Sequence, residues 1–169
     1  WKDYLQPLNE HFTQDDLDLF TSADLNAGYV EGDLEALPLT SSSQVLMVNL
    51  DLLREAGLTL DEGYLTLEKR LTWEELIDIA TQFQQKMDPN HTEGYWGFIL
   101  GQQSNAYQVL ALGNSLGEKA IASDGVTVEG VLNTEGWVKA MSFYQDLYTD
   151  YGVSPVGSTD DEVKALFYS

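Results

Sequence analysis

The sequence predicts a helix-rich α/β fold, and three observations carry that prediction. Short apolar segments bounded by polar or turn residues, Val45 to Val48 and Tyr95 to Leu100, alternate with helical patterns. Several helices begin at recognisable caps, the clearest being Thr72-Trp73-Glu74-Glu75. The chain has 169 residues, 43% of them hydrophobic and 11% aromatic, enough for a core in one or at most two domains.

The first 27 residues read as short helices. Leu5, Leu8 and Phe12 recur at helical spacing, and Thr13 caps a further turn with Asp16 three residues on. Asp15, Asp16 and Asp18 suit the positive end of a helix dipole, so they need no metal. Gly28 to Gly32 is a turn region, and Leu34 to Leu39 is extended, with Pro38 excluding a helix interior. A polar run, Thr40 to Gln44, precedes Val45 to Val48, which reads as a short buried strand. Asn49 caps a helix running to Ala56, and Gly57 stands where a C-terminal glycine belongs.

Residues 58–71 form a polar connection that includes Lys69-Arg70. After it comes the strongest helix. Trp73, Leu76, Ala80, Phe83 and Met87 make one apolar stripe, and Asp88-Pro89-Asn90 ends it. Tyr95 to Leu100 is a second buried-strand candidate, and Gly101 to Asn105 is a polar loop opening a helix with Tyr107, Leu110 and Leu112 that ends at Gly113 or Gly117. Val126-Thr127-Val128 is strand-like. Thr134 caps a long helix with Trp137, Met141, Tyr144, Leu147 and Tyr148 on one face, ended by Gly152 and Pro155. Thr159 to Glu162 is another capping box, with Val163, Leu166 and Phe167 following.

Charge narrows the partners. The chain carries 28 Asp and Glu against 8 Lys and Arg, a net charge of −20, with no basic cluster larger than Lys69-Arg70. Phosphate backbones and anionic membranes both require local positive charge, so neither is an expected partner. The carboxylates are spread along the whole chain, which makes the charge a general surface property.

Much catalytic chemistry has no foothold. There is no cysteine, which removes disulfides, thiolate metal sites and thiol nucleophiles together. His11 and His91 each lack a second ligand at metal spacing. Asp88 to Glu93 begins like a calcium loop, but Glu93 occupies the position where glycine is required and Ile99 the position of the bidentate Glu. No phosphate-binding glycine loop and no nucleophile elbow is present. No cofactor, metal or catalytic residue is expected. No apolar run approaches the roughly 20 residues that span a bilayer.

Five stretches, in order, resemble a bacterial extracellular solute-binding protein of ABC importers, of the sugar-binding, maltose-binding type. Leu37-Pro38, a polar gap, Leu46-Met47-Val48-Asn49-Leu50-Asp51-Leu52-Leu53 and Ala56-Gly57 resemble one segment of that family, with Val48 and Leu50 replacing its usual Tyr and Lys. Leu71-Thr72-Trp73-Glu74-Glu75-Leu76 resembles its Thr-Trp-Glu-Glu-Leu helix start, with Leu71 departing from the usual Pro. Tyr95-Trp96-Gly97-Phe98 resembles its strand, and Asn133-Thr134-Glu135-Gly136 with Ala140, Phe143-Tyr144 and Leu147-Tyr148 its long helix. Ala165-Leu166-Phe167 is similar to the approach to a further segment.

The resemblance implies a partial periplasmic-binding-protein-like fold, mostly the C-terminal lobe. Residues 1–39 would be the tail of the N-terminal lobe, 40–44 a hinge crossing, and 45–169 most of the C-terminal lobe. The chain opens on Trp1 and stops at Ser169, and it is expected to be a piece of a longer protein. The implied function is non-enzymatic: a monomeric extracellular component, periplasmic or lipoprotein-anchored, that binds a carbohydrate between two lobes and delivers it to a membrane permease.

A sugar site needs aromatic faces and planar amides or carboxylates. By resemblance, Ser42 in the hinge run and Gln102, Gln103, Asn105 and Tyr107 after the second strand are the ligand contacts, with Asn114 beside them. The residues agree for the second group: a polar run at the C-terminal end of a strand, opening a helix, is where open α/β sheets bind ligands. Trp73 and Trp137 lie in apolar helix stripes and belong to the core, and Trp96 to the core or a cleft edge. A carbohydrate-active enzyme with paired carboxylates and a stand-alone interaction module are the alternatives.

Overall fold

In a computed structural model, described over residues 4–59, 70–100 and 107–168, the chain forms two compact units, Trp1–Val45 and Leu46–Ser169. The expected polar connection 58–71 and loop 101–105 lie largely outside the described residues.

In the first unit, α1 (Gln14–Leu17) begins at Thr13. The Thr13 hydroxyl accepts from the Asp16 N–H and the Asp16 carboxylate takes the Thr13 N–H, the capping box its spacing predicts. Thr21 caps α2 (Ser22–Asn26) with its hydroxyl, which accepts the Asp24 N–H and donates to the Asp24 carboxylate. A two-stranded antiparallel hairpin follows, β1 (Tyr29–Val30) and β2 (Asp33–Leu34). Its turn has positive φ at both central residues, 53° at Glu31 and 98° at Gly32. That geometry matches the right-handed twist of the strands. Leu34 is fully buried and Leu17 nearly so.

The helix expected from Leu5, Leu8 and Phe12 does not form. Pro7 interrupts it, and the segment instead runs along the hairpin. The Leu8 N–H donates to the Leu34 carbonyl at 2.7 Å, and the Leu34 N–H donates to Asn9 Oδ1 at 2.8 Å.

In the second unit, α3 (Leu50–Glu55) is capped by Asn49, whose Oδ1 accepts from Asp51 and Leu52. It closes with Gly57 at φ 65°, the Gly57 N–H on Arg54 O and the Leu58 N–H on Leu53 O. This pair of bonds is the Schellman arrangement, which the glycine permits. Lys86, in the last turn of α4 (Trp73–Met87), donates to the Ala56 carbonyl at 2.9 Å and satisfies the same helix end.

Helix α4 is the centre of this unit. Its predicted capping box is complete, Thr72 with Glu75. Its buried line runs through Ile77, Ala80, Phe83 and Gln84, turned slightly from the predicted stripe. Phe83 packs with Leu53 and Ala56 of α3. Ile77 and Ala80 pack with Leu147 and Val153, at and beyond the end of α6 (Glu135–Asp146). Helix α5 (Tyr107–Ser115) lies on α6, where Leu112 meets Trp137 and Ala140. Gly113 is required there, because a Cβ would enter the Trp137 ring. Helix α7 (Asp160–Tyr168) is amphipathic but largely exposed, with Val163 and Phe167 half-buried among its described side chains.

Three expected strands differ. Val45 to Val48 is irregular, with Val45, Leu46 and Met47 exposed, because no strand pairs with it among the described residues. Val126 to Val128 is irregular and follows a turn at Ser123-Asp124. Asp124 Oδ1 accepts from the Val126 and Thr127 N–H groups, which bends the chain away from a ladder. Tyr95 to Leu100 is half-buried and irregular, with a bend at Gly97, and pairs with no strand among the described residues.

Candidate functional site

The segment from Tyr95 to Leu100 delivers the chain to the predicted ligand loop, and side chains hold it in place of a neighbouring strand. Gln84 supplies most of the grip. Its Nε2 donates to the Tyr95 carbonyl at 3.0 Å and the Asp88 carbonyl at 2.7 Å, and its Oε1 accepts the Gly97 N–H at 3.0 Å. These partners fix the amide orientation, since only the oxygen can face an N–H. Beyond Gly97 the grip passes to the turn after α6. The Phe98 N–H donates to the Val153 carbonyl at 3.1 Å, the Ser154 hydroxyl to the Phe98 carbonyl, and the Tyr148 hydroxyl to the Leu100 carbonyl at 3.1 Å. Gly97 lies so close to α4 that a Cβ would collide with the Ala80 carbonyl oxygen.

Asp88 fixes the approach to this segment. It is 1% exposed, and its carboxylate accepts the N–H groups of Thr92, Glu93 and Gly94 at 2.7, 2.9 and 2.8 Å. Burial pushes its pKa up, but the backbone donors of Thr92, Gly94, Glu93 and Tyr95 together outweigh that and hold it below the ordinary carboxylate value. The stretch that begins like a calcium loop is therefore a helix stop. Its first carboxylate is committed to its own backbone, and no cluster of three or more metal-ligating side chains occurs among the described residues.

Of the sequence-predicted contacts, Ser42 lies in the first unit, exposed on the irregular stretch before α3. The neighbouring Ser41 hydroxyl donates to Asp24 Oδ1 at 2.7 Å. Tyr107 is the first residue of α5 in the second unit and is 48% exposed. Gln102, Gln103 and Asn105 lie outside the described residues. Asn114 is exposed on α5. The tryptophans sort as expected: Trp137 is 4% exposed with its Nε1 on the Lys119 carbonyl at 2.9 Å, and Trp73 packs edge-on against Phe143. Trp96, half-buried, stacks on His91 with ring centroids 4.7 Å apart.

Sequence reasoning missed the residues that seat the loop, namely Gln84, Tyr148 and Ser154. One signal was available for Gln84: it stands four residues after Ala80 on the line where another apolar side chain is expected. A separate polar cleft of about 410 Å³ lies within the first unit, lined by Gln6, Pro7, Asn9, Glu10, His11 and Asp33. Ser42, Tyr107 and Asn114 do not line it.

The fold of the described residues has counterparts among solved structures. The ABC substrate-binding protein Lmo0181 from Listeria monocytogenes, in complex with cycloalternan, matches with a TM-score of 0.61 and 16% identity, over 96% of this chain and 40% of that one. Maltose-bound MalE3 of T. maritima matches with a TM-score of 0.58 and 20% identity, over 98% of this chain and 40% of that one. The fold is thus that of a substrate-binding protein, and the chain spans about 40% of the length of these structures. No curated protein matches the sequence. The family described as bacterial extracellular solute-binding protein matches residues 1–169, and the chain belongs to that family. Among the described residues, no helix is long and apolar enough to cross a membrane.

Proposed function

We propose that the chain is part of the extracellular substrate-binding component of an ABC importer and that its solute is a mono- or oligosaccharide. The family match over residues 1–169 carries this reading. The fold shared with a cycloalternan-bound and a maltose-bound protein supports the carbohydrate. A net charge of −20 is compatible with a neutral solute and unfavourable for an anionic one.

In this reading residues 1–39 are the tail of one lobe, 40–44 a hinge crossing, and 45–169 most of the other lobe. Ser42 and the group Gln102, Gln103, Asn105 and Tyr107 contact the sugar, amides and hydroxyls pairing with its hydroxyls and the Tyr107 ring with its apolar face. The protein acts without catalysis, as a monomer, periplasmic or lipid-anchored, and hands its solute to a membrane permease.

Isothermal calorimetry and thermal-shift screening against mono- and oligosaccharides, maltose included, test the reading. Saturable binding of a sugar, weakened by Gln102→Ala or Asn105→Ala, is the expected result. Stabilisation by another solute class, with no response to any sugar, overturns it.

A further inference from the structure

We propose that Asp124-Gly125 is a site of spontaneous backbone isomerisation, where aspartate converts to isoaspartate, and that the Thr127 hydroxyl is the latch that holds the reaction back in the folded protein. The inference does not depend on which solute the protein binds.

The sequence supplies the reactive pair. Asp124-Gly125 is the single Asp-Gly step in the chain, and there is no Asn-Gly step. Glycine has no side chain to shield its amide nitrogen, so that nitrogen reaches the preceding carboxyl more readily than another residue's would. In the reaction the Gly125 nitrogen attacks Cγ of the protonated Asp124 carboxyl. An N–Cγ bond forms, and the amide proton leaves with the carboxyl hydroxyl as water. A second water then opens the succinimide. Opening at the Asp124 main-chain carbonyl leaves the chain running through Cγ, with no net change in mass.

The turn withholds both partners. Asp124 Oδ1 accepts the Val126 and Thr127 N–H groups at 3.0 and 2.9 Å, and Oδ2 accepts the Thr127 hydroxyl. The Gly125 N–H donates to the Ala122 carbonyl at 3.0 Å. The carboxylate is thus tied forward along the chain and the nucleophile is tied back. The same bonds keep Asp124 ionised, with a pKa of about 2, and an ionised carboxylate has no hydroxyl to release.

Little else secures the turn. Residues 123–130 are all exposed, Val126 at 80%. The Ala122 N–H closes on the Thr127 carbonyl at 2.8 Å, again at the surface. A segment held by exposed hydrogen bonds, with no buried side chain, opens locally while the helices stay folded. Local opening therefore gates the reaction. The two N–H donors to Asp124 belong to the backbone and persist in any variant that keeps the chain, whereas the Thr127 hydroxyl is supplied by a side chain and is removed by one substitution.

Folded wild type, Thr127→Val and Thr127→Ser are incubated in the same mildly acidic buffer. Peptide mapping with electron-transfer mass spectrometry follows isoaspartate at residue 124, and wild type in urea supplies the rate of the open chain. Thr127→Val is expected to isomerise about three- to tenfold faster than wild type, the range one hydrogen bond supplies. Its melting temperature should stay within about 2 °C of wild type, because the site is exposed. Thr127→Ser, which keeps the hydroxyl, should match wild type within about twofold. The chain in urea should react faster than either folded form. Equal rates in Thr127→Val and wild type overturn the latch, and so does equal acceleration by Thr127→Ser. A folded wild-type rate equal to that in urea overturns the proposal without recourse to any variant, as does the absence of isoaspartate at residue 124 in urea.

Discussion

Replacing Gln84 with leucine is the sharpest test of how the second unit is held together. The substitution keeps the volume of the side chain nearly constant and retains good helix propensity in α4, so neither a cavity nor a propensity change obscures the result. It removes the hydrogen bonds to the Asp88 carbonyl, the Tyr95 carbonyl and the Gly97 N–H, together with the 3.2 Å contact of Nε2 with His91 Nδ1. Asp88 is buried, and Tyr95 and Gly97 are half-buried. An unsatisfied buried backbone group costs about 1–3 kcal/mol, and water reaching the half-buried pair reduces their share. The expected net loss is about 3 kcal/mol, or a fall in melting temperature of about 6–12 °C for a chain of this size. Urea denaturation followed by tryptophan fluorescence measures it. Gln82→Leu, on the exposed face of the same helix, is the control and should stay within about 0.5 kcal/mol of wild type. If Gln84→Leu also stays within about 0.5 kcal/mol, the amide does not substitute for a strand partner and the account of residues 95–100 fails.

Three further outcomes follow from the packing and electrostatics. Gly97→Ala should destabilise by about 2 kcal/mol or more in chemical denaturation, because the new methyl meets the Ala80 backbone of α4, which cannot step aside as a side chain could. Acid stability should depend on Asp124, whose hydrogen bonds from the Thr127 hydroxyl and the Thr127 and Val126 N–H groups lower its pKa to about 2. That stabilisation is complete above the ordinary carboxylate value and is lost as pH falls toward about 2, so Asp124→Asn should flatten the acid limb of a melting-temperature profile. Raising NaCl from about 0.02 M to about 0.5 M should raise the melting temperature by relieving the self-repulsion of a chain with net charge −20; a flat salt response would contradict that view of its surface.

The helix starts were legible because each depends on residues three apart. Thr13 with Asp16, Thr72 with Glu75 and Thr159 with Glu162 all close as their spacing predicts. The extended segments were legible as apolar runs but not as the structures they form. A strand is defined by its partner, and no local pattern reports whether one is present. Val126 to Val128 shows the competition directly: its β-branched residues favour a strand, yet Asp124 takes the Val126 and Thr127 N–H groups on its own side chain. For the ligand contacts, sequence placed Tyr107 at the start of a helix, where it stands. The support behind the loop came from residues 84, 148 and 154, whose distance in sequence from residue 100 gave no local sign of contact.

The side-chain grip on residues 95–100 also determines how that segment could change. A backbone ladder offers the same N–H and C=O groups at every residue, so a slip of two residues rebuilds nearly all its bonds. Here only a glycine fits against Ala80, and only one alignment brings Tyr95, Gly97, Phe98 and Leu100 to their separate partners. The segment is keyed to a single register, so a one-residue insertion or deletion between Asp88 and Tyr95 has to be absorbed before the key. The sequence that follows Leu100 can then vary in length and composition while its point of departure stays constant.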